Sequence, residues 1–235
     1  MMPTAEGGKP EEEPTGGSGK PDESPRPVSQ RVQQEQLFQD ARQLAEEGKL
    51  REAARGYAEL LEVNPRHLKA RNNLGYVYDR LGEPELALRE YLAAVELDPE
   101  NVRLLSNVGA VLGELGRYRE AEEELRSALK LDPASADVHL NLGLVHYRRG
   151  LYREAAEAFG KAVELDEEIT AAHLYLGESC NHLGRWEEAL QALRRAIHLQ
   201  PGNARAYYVM GIVYDRLQHP DRAADMYRRA REASS

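Results

Sequence analysis

From about residue 31 onward the chain repeats one pattern of apolar, small and polar positions. Asn64-Pro65, Asp98-Pro99, Asp132-Pro133 and Gln200-Pro201 close apolar runs of helical spacing at intervals of 34, 34 and 68 residues, and the missing mark falls at Asp166-Glu167. A fixed period of this size decides the fold before any single residue does. With position 1 set at Gln34, six units follow: 34–67, 68–101, 102–135, 136–169, 170–203 and a shorter one, 204–235. Position 8 is Ala41, Gly75, Gly109, Gly143, Gly177 and Gly211. Position 20 is alanine throughout, from Ala53 to Ala223, and position 27 is Leu60 followed by Ala94, Ala128, Ala162, Ala196 and Ala230. Position 24 carries the bulk: Tyr57, Tyr91, Leu125, Phe159, Leu193 and Tyr227. A glycine inside a helix costs about 1 kcal/mol against alanine, so glycine recurring at one phase implies that two helices approach there backbone to backbone. Gly48, Gly82, Gly116, Gly150 and Gly184, all at position 15, mark the left-handed stop of a first helix. Pro84 and Pro220, at position 17, suit the first turn of a second. Each unit therefore predicts a helix pair that buries its apolar face only by stacking on its neighbours.

Small residues at positions 8, 20 and 27, an aromatic or leucine at 24 and proline at 32 resemble the tetratricopeptide repeat, over 202 of the 235 residues. The resemblance implies an all-α, right-handed superhelical solenoid of antiparallel helix pairs, with the first helices lining a concave groove. It also implies a non-catalytic adaptor that binds peptides or proteins. The pentatricopeptide family, which reads RNA base by base, has a longer unit and a basic groove, and neither fits this chain. The departures from the pattern lie at the ends. Position 28 is apolar in five units and Arg231 in the last; position 7 is apolar in five and Asp40 in the first. Polar replacement at terminal repeats is what capping requires, so six repeats are expected to be the whole solenoid. Without a solvating helix after the last of them, Met226 and Tyr227 are expected to be part-exposed, and end-to-end association into a homo-oligomer follows as an expectation.

In the family the groove is lined by positions 2, 5, 6, 9, 12 and 13 of each first helix. Position 6 gives Asn73, Asn107 and Asn141 in successive units, and Asn72 joins them at position 5. An amide supplies two donors and one acceptor, the complement of an extended peptide backbone. The arrangement is similar to the asparagine ladder of the tetratricopeptide region of O-linked N-acetylglucosamine transferase. The competing role is bonding between neighbouring helices. Further along, the same phases turn apolar at Leu140, Leu144, Tyr147, Leu174, Tyr175, Tyr208 and Ile212, a patch of the kind that marks interfaces. Arg80, Arg148 and Arg216 alternate at position 13 and are candidate contacts to an acidic ligand. The family's two-lysine clamp for chaperone C-termini is not reproduced: only Asn73 matches outright and Arg103 in part.

Composition narrows the function further. The formal net charge is −9, which disfavours nucleic acid as the partner. A single cysteine, Cys180, excludes an internal disulfide framework and a multi-thiolate metal site. No apolar run is long enough to span a membrane, and no secretory signal is visible, so a cytoplasmic protein is expected. Residues 1–30 are rich in Pro, Gly and Glu and are expected to be a disordered tail. No catalytic residue, metal site or cofactor is assigned: His139 and His173 lack carboxylates at ligand spacing, and no phosphate loop follows a strand. Two function classes stay open: an adaptor that holds an extended segment or partner in the groove, and an assembly subunit that docks through its ends and convex edge.

Overall fold

The computed structural model describes residues 28–234. The expected tail over 1–30 lies outside the described residues except for its last three, which open the first helix. Twelve helices follow one another among the described residues: α1 (Val28–Glu46), α2 (Leu50–Val63), α3 (Leu68–Arg80), α4 (Pro84–Val95), α5 (Val102–Glu114), α6 (Tyr118–Leu131), α7 (Ala136–Arg148), α8 (Tyr152–Leu165), α9 (Thr170–His182), α10 (Trp186–Leu199), α11 (Ala204–Arg216) and α12 (Pro220–Ala233). They form six antiparallel pairs, and each pair leans on the next.

The stops are local. Gly48, Gly82, Gly116, Gly150 and Gly184 all take φ between +73° and +77°, a conformation in which a Cβ meets the following carbonyl. The sixth unit has Gln218 at this phase, at φ +60°. Gln218→Gly is expected to raise the unfolding free energy by about 0.5–1 kcal/mol, read by urea denaturation, because it removes that steric cost. An unchanged or lower midpoint would mean that the turn relaxes around the side chain. The starts are local too: Asn101, Asn203 and the ring of His67 accept from the backbone N–H three residues on, at 3.2, 3.0 and 3.1 Å.

The position-8 glycines make a close approach, though not the one expected. A Cβ on Gly75 would sit 2.8 Å from the Tyr91 ring, on Gly109 2.5 Å from Leu125, on Gly143 2.6 Å from Phe159, on Gly177 2.6 Å from Leu193 and on Gly211 2.5 Å from Tyr227. The nearest neighbour in every case is the position-24 side chain, and only at Gly177 does a facing backbone atom, the Ala189 carbonyl at 3.2 Å, come close behind it. The glycines are therefore the floor on which the bulk of the second helix rests.

First helices also touch one another, α1 on α3, α5 on α7, α7 on α9 and α9 on α11, whereas second helices make no comparable contact with the next second helix. The closer spacing of the first helices makes theirs the concave face. No described helix is long and apolar enough to cross a membrane.

Candidate functional site

Three cavities follow one another along the first-helix face. One of 280 Å³ lies between α1 and α3 and is bordered by Tyr57, Asn73, Tyr76 and Arg80. One of 380 Å³ lies between α5 and α7, bordered by Ser106, Asn107, Leu140 and Asn141. One of 590 Å³ lies between α9 and α11, bordered by Tyr147, Glu178, Tyr208 and Ile212.

The asparagines are half-buried and bonded across helices. Asn73 Nδ2 donates to Tyr57 Oη at 3.1 Å, and Asn72 Nδ2 donates to Asn73 Oδ1 at 3.2 Å. Asn107 Nδ2 then reaches back from α5 to Asn72 Oδ1 at 3.2 Å, and Asn141 Nδ2 from α7 to Ser106 Oγ at 3.0 Å. Each amide thus commits one N–H to a neighbour. The Asn107 and Asn141 carbonyls take no hydrogen bond from the described residues and remain available on the groove face, as does the second N–H of each. Ser106 was missed by residue type alone. It shares its phase with Asn72, which is the signal that would have found it.

Toward the C-terminal pairs the lining becomes aromatic. Tyr147 meets Tyr175 edge-on at 5.4 Å, and Tyr175 stacks on Phe159 at 5.6 Å. Tyr147 Oη donates to Glu178 Oε2 at 2.7 Å. Burial first, and this bond to a carboxylate next, push the Tyr147 hydroxyl pKa above its usual value. Arg205 lies over the Tyr175 ring at 5.0 Å and forks onto Glu178, Nε to Oε1 at 2.5 Å and Nη2 to Oε2 at 2.7 Å. Burial pulls the Arg205 pKa down, and the bonds and charge of Glu178 more than offset it. This network joins α7, α9 and α11, and its Glu178 is 4 % exposed.

The expected patch is therefore only partly a surface. Leu140, Leu144, Tyr147, Tyr175 and Ile212 are half-buried, and Tyr208 is 55 % exposed. Leu174 is corrected: it is buried at 8 %, packed in the core with Val209 and Met210 of α11. Of the position-13 arginines, Arg80 donates to Tyr76 Oη at 3.2 Å, Arg148 stands 3.6 Å from Glu114, and Arg216 has no partner among the described residues.

The histidines at position 4 do architectural work. His139 and His173 bond through Nε2 to the carbonyls of Pro133 and Glu167, both at 3.0 Å, just as Arg71 donates to that of Pro65 at 2.9 Å. Cys180 is buried in the core, where burial pushes its thiol pKa up. No group of three or more metal-ligating side chains is gathered among the described residues.

The model of the family described as the tetratricopeptide C-terminal domain of cilia and flagella-associated protein 70 matches residues 25–235. No curated protein matches the sequence. Solved structures do. PilF of Pseudomonas aeruginosa is 26 % identical over 84 % of this chain and 90 % of its own, with a TM-score of 0.72. YrrB, described as a TPR protein with an unusual peptide-binding site, is 26 % identical over 77 % of this chain and 93 % of its own, with a TM-score of 0.59. MamA is 27 % identical over 68 % of this chain and 94 % of its own, with a TM-score of 0.61.

Proposed function

The chain belongs to the family of the tetratricopeptide C-terminal domain of cilia and flagella-associated protein 70, and from that premise we propose that it is a non-catalytic adaptor that grips an extended segment of a partner protein along its first-helix face. The observation that carries this reading is the line of three cavities, each bordered by asparagine amides that keep unspent hydrogen-bonding groups. A strand of peptide has an N–H and a C=O at every residue, so a row of amides holds it whatever its side chains. YrrB, a similar chain with a peptide-binding site of its own, supports the same reading.

A phage-displayed library of random linear peptides, selected on the full chain, tests it. The peptides recovered should bind the Asn73→Ala, Asn107→Ala, Asn141→Ala triple variant at least tenfold more weakly. Because three cross-helix bonds go with the amides, that variant also loses about 1–3 kcal/mol of stability. Binding is therefore compared at a temperature where circular dichroism shows both proteins folded. Undiminished binding to the folded variant would remove the groove from the account.

The assembly-subunit reading rests on a different observation, an open depression of 880 Å³ on the end face, walled by Tyr208, Ala224, Tyr227 and Ala230. On that reading a second copy docks there. Sedimentation velocity should then show association that rises with concentration and is lost in Ala224→Arg; a monomer at every concentration would end it. The proposed location is the cytoplasm, and the family's own description, which names cilia and flagella, supports a place in such an organelle.

A further inference from the structure

The largest of the three groove cavities has a mouth of one chemical character. Glu178 forms its floor, and both carboxylate oxygens are already taken, by Tyr147 Oη and by the Arg205 fork. The floor is thus a matched ion pair with no charge to offer. Around the mouth stand three polar side chains with no hydrogen bond or ion pair among the described residues: the Asn181 amide, the His182 imidazole and the Arg216 guanidinium. Asn181 and His182 end α9, and Arg216 ends α11, at the same phase as His182. The His182 ring does not swing freely. It stacks on Tyr152 at 3.9 Å with an interplanar angle of 2°, which fixes the plane in which its nitrogens point. Three donor-bearing groups on two helices therefore converge on one opening, in a chain whose net charge is −9.

We propose that this cavity seats the carboxylate of an aspartate or glutamate side chain within the extended segment, bound by Arg216, Asn181 and His182 against the apolar wall of Ile212. The proposal rests on the adaptor reading above and specifies what that adaptor selects. A carboxylate offers two oxygens in one plane, which a guanidinium fork and an amide N–H satisfy together. Through Arg205 and Tyr208, which line both, the cavity adjoins the open depression walled by Tyr227 and Ala230, so a segment can run on past it and the carboxylate is assigned to a side chain and not to a chain end.

The random-peptide selection described above supplies the test, repeated with Arg216→Ala and with Asn181→Ala in the full chain. Arg216 is exposed, so its replacement leaves folding intact, and the amide variant is checked by its melting curve. Peptides selected on the wild type should share one aspartate or glutamate at a fixed place. Replacing that residue by Gln or Asn should weaken binding about tenfold, as should Arg216→Ala; the two losses should not add, because each removes the same contact. Peptides that bind through the asparagines with no shared acidic position would overturn this proposal and leave the adaptor intact. Binding that needs a free C-terminal carboxylate, and is lost on amidation, would overturn it as well by making the cavity a chain-end site. Failure to select any peptide would overturn both readings together.

Discussion

Replacing Phe159 by alanine lowers the unfolding free energy by about 3–5 kcal/mol, and the same replacement turns Gly143→Ala from a damaging change into a harmless one. Phe159 is fully buried, with 0 % exposure, and its ring rests where a Cβ on Gly143 would stand, 2.6 Å from the nearest ring carbon. In the native chain that extra methyl forces ring or helix aside, which costs about 1–3 kcal/mol even after the gain in helix propensity. With the ring gone the methyl has room, and the propensity gain of about 1 kcal/mol remains. A double-mutant cycle by urea denaturation should thus show strong coupling between the two sites. Each repeat leans chiefly on its neighbours, so hydrogen exchange should show the loss concentrated in α7 and α8 and the elements beside them. Additive costs would mean that the recurring glycines answer to something other than the position-24 side chain.

Arg205→Ala is the second large effect. It leaves Glu178, whose side chain is 5 % exposed, with Tyr147 as its remaining partner. Stranding a buried carboxylate in this way costs about 2–4 kcal/mol, well above an exposed ion pair's worth. Adding Glu178→Met should recover much of that loss, since removing both charges leaves no unmet desolvation. Thermal melts of the two variants decide the matter. A double variant no more stable than Arg205→Ala would show that the network acts through packing on Tyr175 and not through charge.

What the sequence disclosed follows from how local each feature is. The left-handed stops at Gly48 through Gly184 depend on a few consecutive residues, and residue type alone reveals them. The glycines at position 8 were legible as a close approach. That they floor the position-24 ring was not, because phase along a chain does not say which face of the partner helix arrives. Leu140 and Leu174 share one phase and differ in exposure; Leu174 lies in one core cluster with Val209 and Met210 of α11, a placement that phase does not disclose. The asparagines were legible as a row, while their bonds to Tyr57 and Ser106 depend on how one pair is rotated against the next. The pairing of Glu178 with Arg205 bridges 27 residues and exists only once the superhelix has closed that distance. Asn181 and His182 stand at the groove phases 12 and 13, but phase alone does not say that they meet Arg216 at one cavity, which depends on what lies opposite them.

On the adaptor reading, the first-helix face holds the partner segment. The most direct measurement places a photoreactive residue at Leu144, on that face, or separately at Arg126, exposed on the second helix α6, and irradiates each protein with a peptide from the random library. The peptide is expected to attach to the protein labelled at Leu144 and not to the one labelled at Arg126. Attachment from Arg126, with none from Leu144, would contradict it and move the binding surface to the outer helices.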